Sequence, residues 1–151
     1  MTKFPIAAFS FLVAALFLAL PARAAIQLDP GEWQDTETGT ENGQPAQPDV
    51  TTSCMKAEDA KDPVKALTQL KDTAGQQCKT MNVRESGNTL SFDMECGEPK
   101  TMLISLTMNM TFLNARHYTG TVKSKVTFGG KTIATDKQLD SKWIAATCKK
   151  Q

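Results

Sequence analysis

The sequence predicts a mainly β protein: an antiparallel sheet, strongly curved or closed into a small barrel, with one short helix. Three observations predict it. Met102, Ile104, Leu106, Met108, Met110 and Phe112 alternate with mostly polar neighbours throughout Thr101–Phe112, the two-residue period of a strand with one buried face. Tyr118, Gly120, Val122, Ser124, Val126 and Phe128 repeat the alternation, with threonines and lysines between them. Strand-like stretches recur every ten to fifteen residues and are linked as hairpins, a spacing that favours an antiparallel sheet over parallel βαβ units.

Taken in order, Pro30-Gly31 is a turn leading into a first strand through Thr40. Residues 40–49, TENGQPAQPD, read as a polar loop, and VTTSCM (50–55) resumes a strand. AEDA (57–60) suggests a helical turn of its own. One helix is well signalled, with Asp62 as N-cap, Pro63 as first residue and Val64, Leu67 and Leu70 as an apolar stripe that should pack against an edge or open end of the sheet. Ser86-Gly87-Asn88 marks a turn, since glycine supplies the positive φ of tight turns. Met81 and Val83 lie on one side of it, and Leu90, Phe92 and Met94 on the other. Leu113–Arg116 joins the two long alternating strands into a second hairpin. Gly129-Gly130 then leads into residues 131–148, one long bent strand or two short ones.

The chain opens with Lys3, an apolar run from Ile6 to Leu20, Pro21 and then Ala22-Arg23-Ala24. This is the order of a secretory signal peptide, with cleavage expected after Ala24. The run is short for a bilayer span, and no second one follows, so residues 1–24 are expected to be a signal peptide. Residues 25–151 are expected to be a single β-domain in the periplasm with no membrane span. Losing Lys3 and Arg23 takes the charge balance from 17 basic and 16 acidic side chains to 15 and 16. Near-neutrality gives no electrostatic reason to bind nucleic acid or an anionic membrane.

Cys54, Cys78, Cys96 and Cys148 are the four cysteines. An even count in an exported chain favours disulfides. Zinc would ask for close ligand pairs such as C-x-x-C; none exists, so no metal and no cofactor is expected. Folding the chain about Gly87 brings Cys78 opposite Cys96 and leaves Cys54 to pair with Cys148. One detail resists. If Val83 faces Leu90 and Met81 faces Phe92, the partner of Cys96 becomes Gln77, so the hairpin needs a bulge or Cys78 lies just beyond regular pairing.

The chain resembles a family of small bacterial exported proteins known as a domain of unknown function with a PGxW first strand. The residues that carry the resemblance are PGEW (30–33), CMKAEDAKDP (54–63), CKTMNVRESGNTLSFDMEC (78–96), YTGTV (118–122) and WIAATC (143–148). They span nearly all of the mature chain. The resemblance implies an exported β-domain and no established activity, cofactor or catalytic residue. Many similar sequences carry a Met- and Pro-rich segment after the first strand, whereas ENGQPAQPDV (41–50) has no methionine. Gly31-Glu32-Trp33 is also similar to the G-x-W of lipocalins, which implies a ligand-binding barrel.

Enzyme chemistry finds little support. His117 is the only histidine, sits at a hairpin connection as a surface residue, and has no G-x-S-x-G partner. Adjacent Glu58 and Asp59 would not face each other on a helical turn, and Asp93 and Glu95 fall on a solvated strand face. No catalytic residue is therefore assigned. Met94, Met102, Met108 and Met110 fall on one sheet face, where thioethers fill core space or accommodate soft apolar ligands. The expected function is binding of a small apolar or lipid-like ligand, at a face assigned to Trp33, Phe92, Met94, Met102, Met108, Met110 and Tyr118. The alternative is a non-enzymatic module that docks another envelope protein. A monomer is expected.

Overall fold

The computed structural model describes residues 26–69, 77–98 and 100–149. The expected signal peptide and Leu70 lie outside the described residues. Eight strands form one antiparallel sheet: β1 (Gly31–Glu41), β2 (Gln44–Pro45), β3 (Asp49–Met55), β4 (Cys78–Ser86), β5 (Thr89–Glu98), β6 (Met102–Asn114), β7 (His117–Phe128) and β8 (Lys131–Ala145). A 3₁₀ turn (Asp59–Lys61) and helix α1 (Pro63–Thr68) separate β3 from β4. β4 to β8 form a meander, β1 adds to β8, and both β2 and β3 pair with the other side of β1. β3 and β4 are therefore the free edges, and the sheet is open. The small barrel, and the closed barrel implied by the Gly31-Glu32-Trp33 likeness, are not formed.

That topology explains the helix. Consecutive strands β3 and β4 lie at opposite edges, so the chain between them must cross the sheet. The described part of that connection lies on the apolar face, with Val64 and Leu67 of α1 against the core. Asp62 caps α1 by accepting from the Lys65 N–H at 3.1 Å, and Pro63 opens it, as the sequence predicts.

Strand alternation sorts the side chains. Leu90, Phe92, Met94 and Cys96 of β5 face the core with Met110 and Phe112 of β6, Tyr118 of β7, Leu139 of β8 and Trp33 of β1. The Tyr118 ring lies 5.5 Å from Trp33 and 5.4 Å from Phe112, both tilted, an arrangement that adds to the area buried. The end of the sheet near the β6–β7 turn is closed by Ile26 and Leu28, both buried. Asp29 holds that segment down. Its N–H donates to Ala115 O at 2.8 Å, its carboxylate bridges Arg116 at 2.5 Å, and Arg116 stacks 4.3 Å above Trp143. Trp33 and Trp143 donate their indole N–H groups to Asp29 O and Pro30 O.

Both expected disulfides are present, Cys54–Cys148 and Cys78–Cys96. The expected pairings of Val83 with Leu90 and Met81 with Phe92 are not formed, since Leu90 pairs with Glu85 and Met81 with Asp93, and a bulge lies between the two ends of the hairpin. Ser86 pairs with Thr89 and Arg84 with Ser91, whereas Met81 pairs with Asp93 and Cys78 with Cys96. Asn82 and Val83 together oppose Phe92. Without that extra residue Lys79 would face Cys96. Asn82 adopts φ 54°, a left-handed conformation that asparagine tolerates better than most residues, and donates to Asp93 Oδ2 at 2.7 Å. One smaller expectation changes: TENGQPAQPD contains a tight hairpin at Asn42-Gly43 that folds β2 back onto β1. Of the two alternatives for the last segment, residues 131–145 form the one long strand.

Candidate functional site

The apolar face divides into a packed part and an open part. Of the residues assigned to a ligand face, Trp33, Phe92, Met94, Met110 and Tyr118 are buried in the core, whereas Met102 and Met108 are half-buried. The structure brings all seven to the same face. Toward the β7–β8 turn that face loses its cover. Met102 pairs with Phe128, and Ile104 with Val126 and then Ile133, in two adjacent cross-strand rows. Phe128 is 67% exposed and Ile133 45% exposed.

Polar groups are set into the same face toward β1. Ser141, with no exposed surface, donates to Asp35 Oδ1 at 2.5 Å, and Ser53 donates to Asp35 Oδ2 at 3.0 Å. Ser141 also lies beside the Tyr118 hydroxyl, where it favours the ionised form and opposes part of the effect of burial. Burial pushes the Tyr118 hydroxyl up to about 12, with the Asp35 charge adding to the effect. Next along the strands, Lys137 bridges Glu37 at 2.6 Å with both side chains partly shielded. That hydrogen bond raises the Lys137 ammonium above its ordinary value.

The opposite face is polar and carries the clefts. A cleft of about 800 Å³ is lined by two complete rows of side chains across five strands. Thr36, Asp140, Thr119, Thr111 and Thr89 are successive partners from β1 to β5. Thr38, Gln138, Thr121, Asn109 and Ser91 form the next row. A second cleft, about 560 Å³, lies further along the same face beside Lys123, Lys125 and Asp136. His117, half-buried, meets Asp140 at 2.6 Å, and Lys142 meets the other oxygen of that carboxylate at 2.6 Å. The Lys142 bond first, and His117 second, hold Asp140 below the usual carboxylate range. Asp93 is held low by Asn82 and then by Thr107. The sequence places Asn109, Thr111, Thr119 and Thr121 on polar strand faces but does not assemble the two rows. The only local signals are the Thr-x-Thr pairs at 36/38 and 119/121.

Among the described residues no group of three His, Cys, Asp or Glu side chains is placed to hold a metal ion. No described helix is long and apolar enough to cross a membrane.

These features define a class: an open antiparallel β-sheet domain, crossed by one short helix, with a disulfide at each free edge. Residues 28–148 match the family model DUF3617, a protein of unknown function, and the chain belongs to that family. No curated protein and no solved structure matches it.

Proposed function

We propose that this is an exported, non-enzymatic binding protein of the periplasm that takes a small apolar or lipid-like ligand on the open end of its apolar face. The observation that carries this reading is the exposure of Phe128 and Ile133 beside half-buried Met102, Ile104 and Val126. The closed end of the same face buries comparable side chains under Ile26, Leu28 and α1. Uncovered apolar surface of this kind marks a site of interaction, and the two methionine-bearing strands suit ligands of varied shape. Lys131 follows Phe128 in its row, so an acyl chain with an anionic head meets both an apolar wall and a cation.

Titration with a fluorescent fatty acid tests the reading. Saturable uptake is expected. The Phe128→Ser/Ile133→Ser double variant should bind about 10- to 100-fold more weakly, from the burial worth of one large apolar side chain. No uptake, or uptake unchanged in the double variant, would refute it.

A second reading, docking of an envelope protein, is favoured by one observation. β3 pairs only with β1, in unbroken register from Asp49 to Met55, and has no lysine or proline within it. Natural edges usually carry such protection, and β4 has it in the form of the bulge. A partner that adds a strand there should be lost on Thr52→Pro while fatty-acid uptake stays.

A further inference from the structure

The two rows on the polar face gather side-chain hydroxyls and amides that are largely without protein partners into one cleft. Several hydroxyls outside the cleft find protein partners: Ser124 with Thr135 at 2.7 Å, Thr127 with Thr132 at 3.1 Å, and Thr107 with Asp93 at 2.7 Å. In the 800 Å³ cleft, Asp140 is engaged by His117 and Lys142, and Thr89 donates to Ser86 O at 2.7 Å. The eight other side chains of the two rows make no side-chain hydrogen bond within the protein among the described residues. Five are half-buried, namely Thr36, Ser91, Thr111, Thr119 and Thr121, so they are set into the cleft wall with their polar atoms free.

We propose that this cleft binds a neutral, polyhydroxylated chain, an uncharged oligosaccharide lying across the strands. Hydroxyl and amide side chains each donate and accept, as sugar hydroxyls do. The rows contain no cation to attract an acidic polymer, and their one carboxylate is already paired. No apolar side chain projects from them to hold an acyl chain. The direction also fits. Five strands at ~4.8 Å spacing span about 19 Å, and the strand spacing is close to the repeat of a pyranose chain, so successive sugars meet successive strands. An extended peptide places same-side groups at a longer interval and would fall out of step with the rows. With no aromatic platform in the rows, binding rests on exchange of hydrogen bonds with water, and a dissociation constant of about a millimolar is expected.

The test is an NMR titration of the full mature protein, following threonine methyl and amide signals. The probes are cellotetraose and chitotetraose, with tetragalacturonate and a neutral Ala-Ser peptide as competitors of different class. Shifts are expected at Thr36, Thr111, Thr119 and Thr121 with at least one neutral tetrasaccharide. Thr111→Val and Thr121→Val keep side-chain shape and strand preference on a solvent-facing surface. Each should weaken binding about 3- to 10-fold, as expected for one lost hydrogen bond. Phe128→Ser should leave the saccharide shifts unchanged, which separates this site from the apolar one. The proposal is overturned if neither tetrasaccharide shifts these signals, if the valine variants bind as well as the parent, or if tetragalacturonate or the peptide binds the rows equally well.

Discussion

Replacing Cys54 and Cys148 by alanine opens the longer of the two covalent loops, which closes 94 residues against 18 for Cys78–Cys96. On the chain-entropy model the long loop contributes about 4.7 kcal/mol and the short one about 3.2 kcal/mol, a difference of about 1.5 kcal/mol. Packing narrows that gap. Cys96 is buried in the core while Cys54 is exposed, so alanines at Cys78 and Cys96 add a cavity term of about 1 kcal/mol. The Cys54→Ala/Cys148→Ala variant should therefore lose about 4–5 kcal/mol, a large share of the ~5–15 kcal/mol typical of a domain. Its melting temperature should fall by about 15–20 °C. The Cys78→Ala/Cys96→Ala variant should lose slightly less. Urea unfolding, followed by the fluorescence of buried Trp33, measures both. The denaturant slope of the long-loop variant should rise as its unfolded chain expands. A loss below about 1.5 kcal/mol with an unchanged slope would refute the entropic accounting.

Tyr118 is the only tyrosine in the chain, so an absorbance titration reads it alone; ionisation is expected near 12 in the folded protein and near ~10 in denaturant. Because the folded value is the raised one, the contribution to stability, of order 2–3 kcal/mol, is intact below about pH 10 and lost as pH climbs toward about 12; folded-state ionisation near 10 would contradict the burial argument. Asn82→Val forces a β-branched residue into the left-handed conformation of the bulge and should cost roughly 1–2 kcal/mol in urea unfolding. The same change removes a hydrogen bond from Asp93, whose lowered folded pKa supports stability above the ordinary carboxylate range and loses it as pH falls through the folded value. An NMR titration of the variant should find that carboxyl moved back up, and an unmoved Asp93 would show that Thr107 alone sets it.

The parts of this fold legible in the sequence are those in which partners are close along the chain. The hairpins β4–β5 and β6–β7 follow from alternation on either side of a turn, and the Cys78–Cys96 bridge follows from the first of them. Helix α1 was legible because Asp62 and Pro63 act on their own next turn. A bulge was anticipated, but from Val83–Leu90 and Met81–Phe92 pairings that do not form; its actual place was not legible, because whether Asn82 takes a left-handed conformation depends on what Phe92 and Asp93 offer across the strand. The Asn42-Gly43 hairpin was obscured by the prolines that follow, which keep β2 to two residues. Beyond local reach, the pairing of β1 with β8 joins residues about a hundred positions apart, and neither alternation nor turn chemistry sets that register. The polar rows depend on it, so Thr111 and Thr119 could be assigned to a polar face but not joined with Thr36 in one cleft. Burial of Trp33, Phe92, Met94, Met110 and Tyr118 was legible as a shared face. Which end of that face is closed depends on Asp29, Arg116 and Trp143 meeting across the molecule.

The two surfaces follow from one alternation and constrain each other. In β7, Tyr118, Gly120 and Val122 face the core while Thr119 and Thr121 face the cleft, and each is locked to its partner in β6 and β8. A slip of one residue would send both threonines into the core and expose Tyr118, so neither surface can be altered by register without destroying the other. Gly120 sits where the two are closest. A Cβ there would lie 2.6 Å from Asn109 O and 3.3 Å from Met110 Cγ, so β6 and β7 approach more closely than any side chain at position 120 allows. That approach brings Thr119 and Thr121 against Thr111 and Asn109 on the polar side while Met110 lies against the glycine on the apolar side. The free hydroxyls of the cleft and the dense core beneath them are thus two sides of one backbone contact. The disulfides act at the edges of the sheet, where no second neighbouring strand holds β3 or β4 in register.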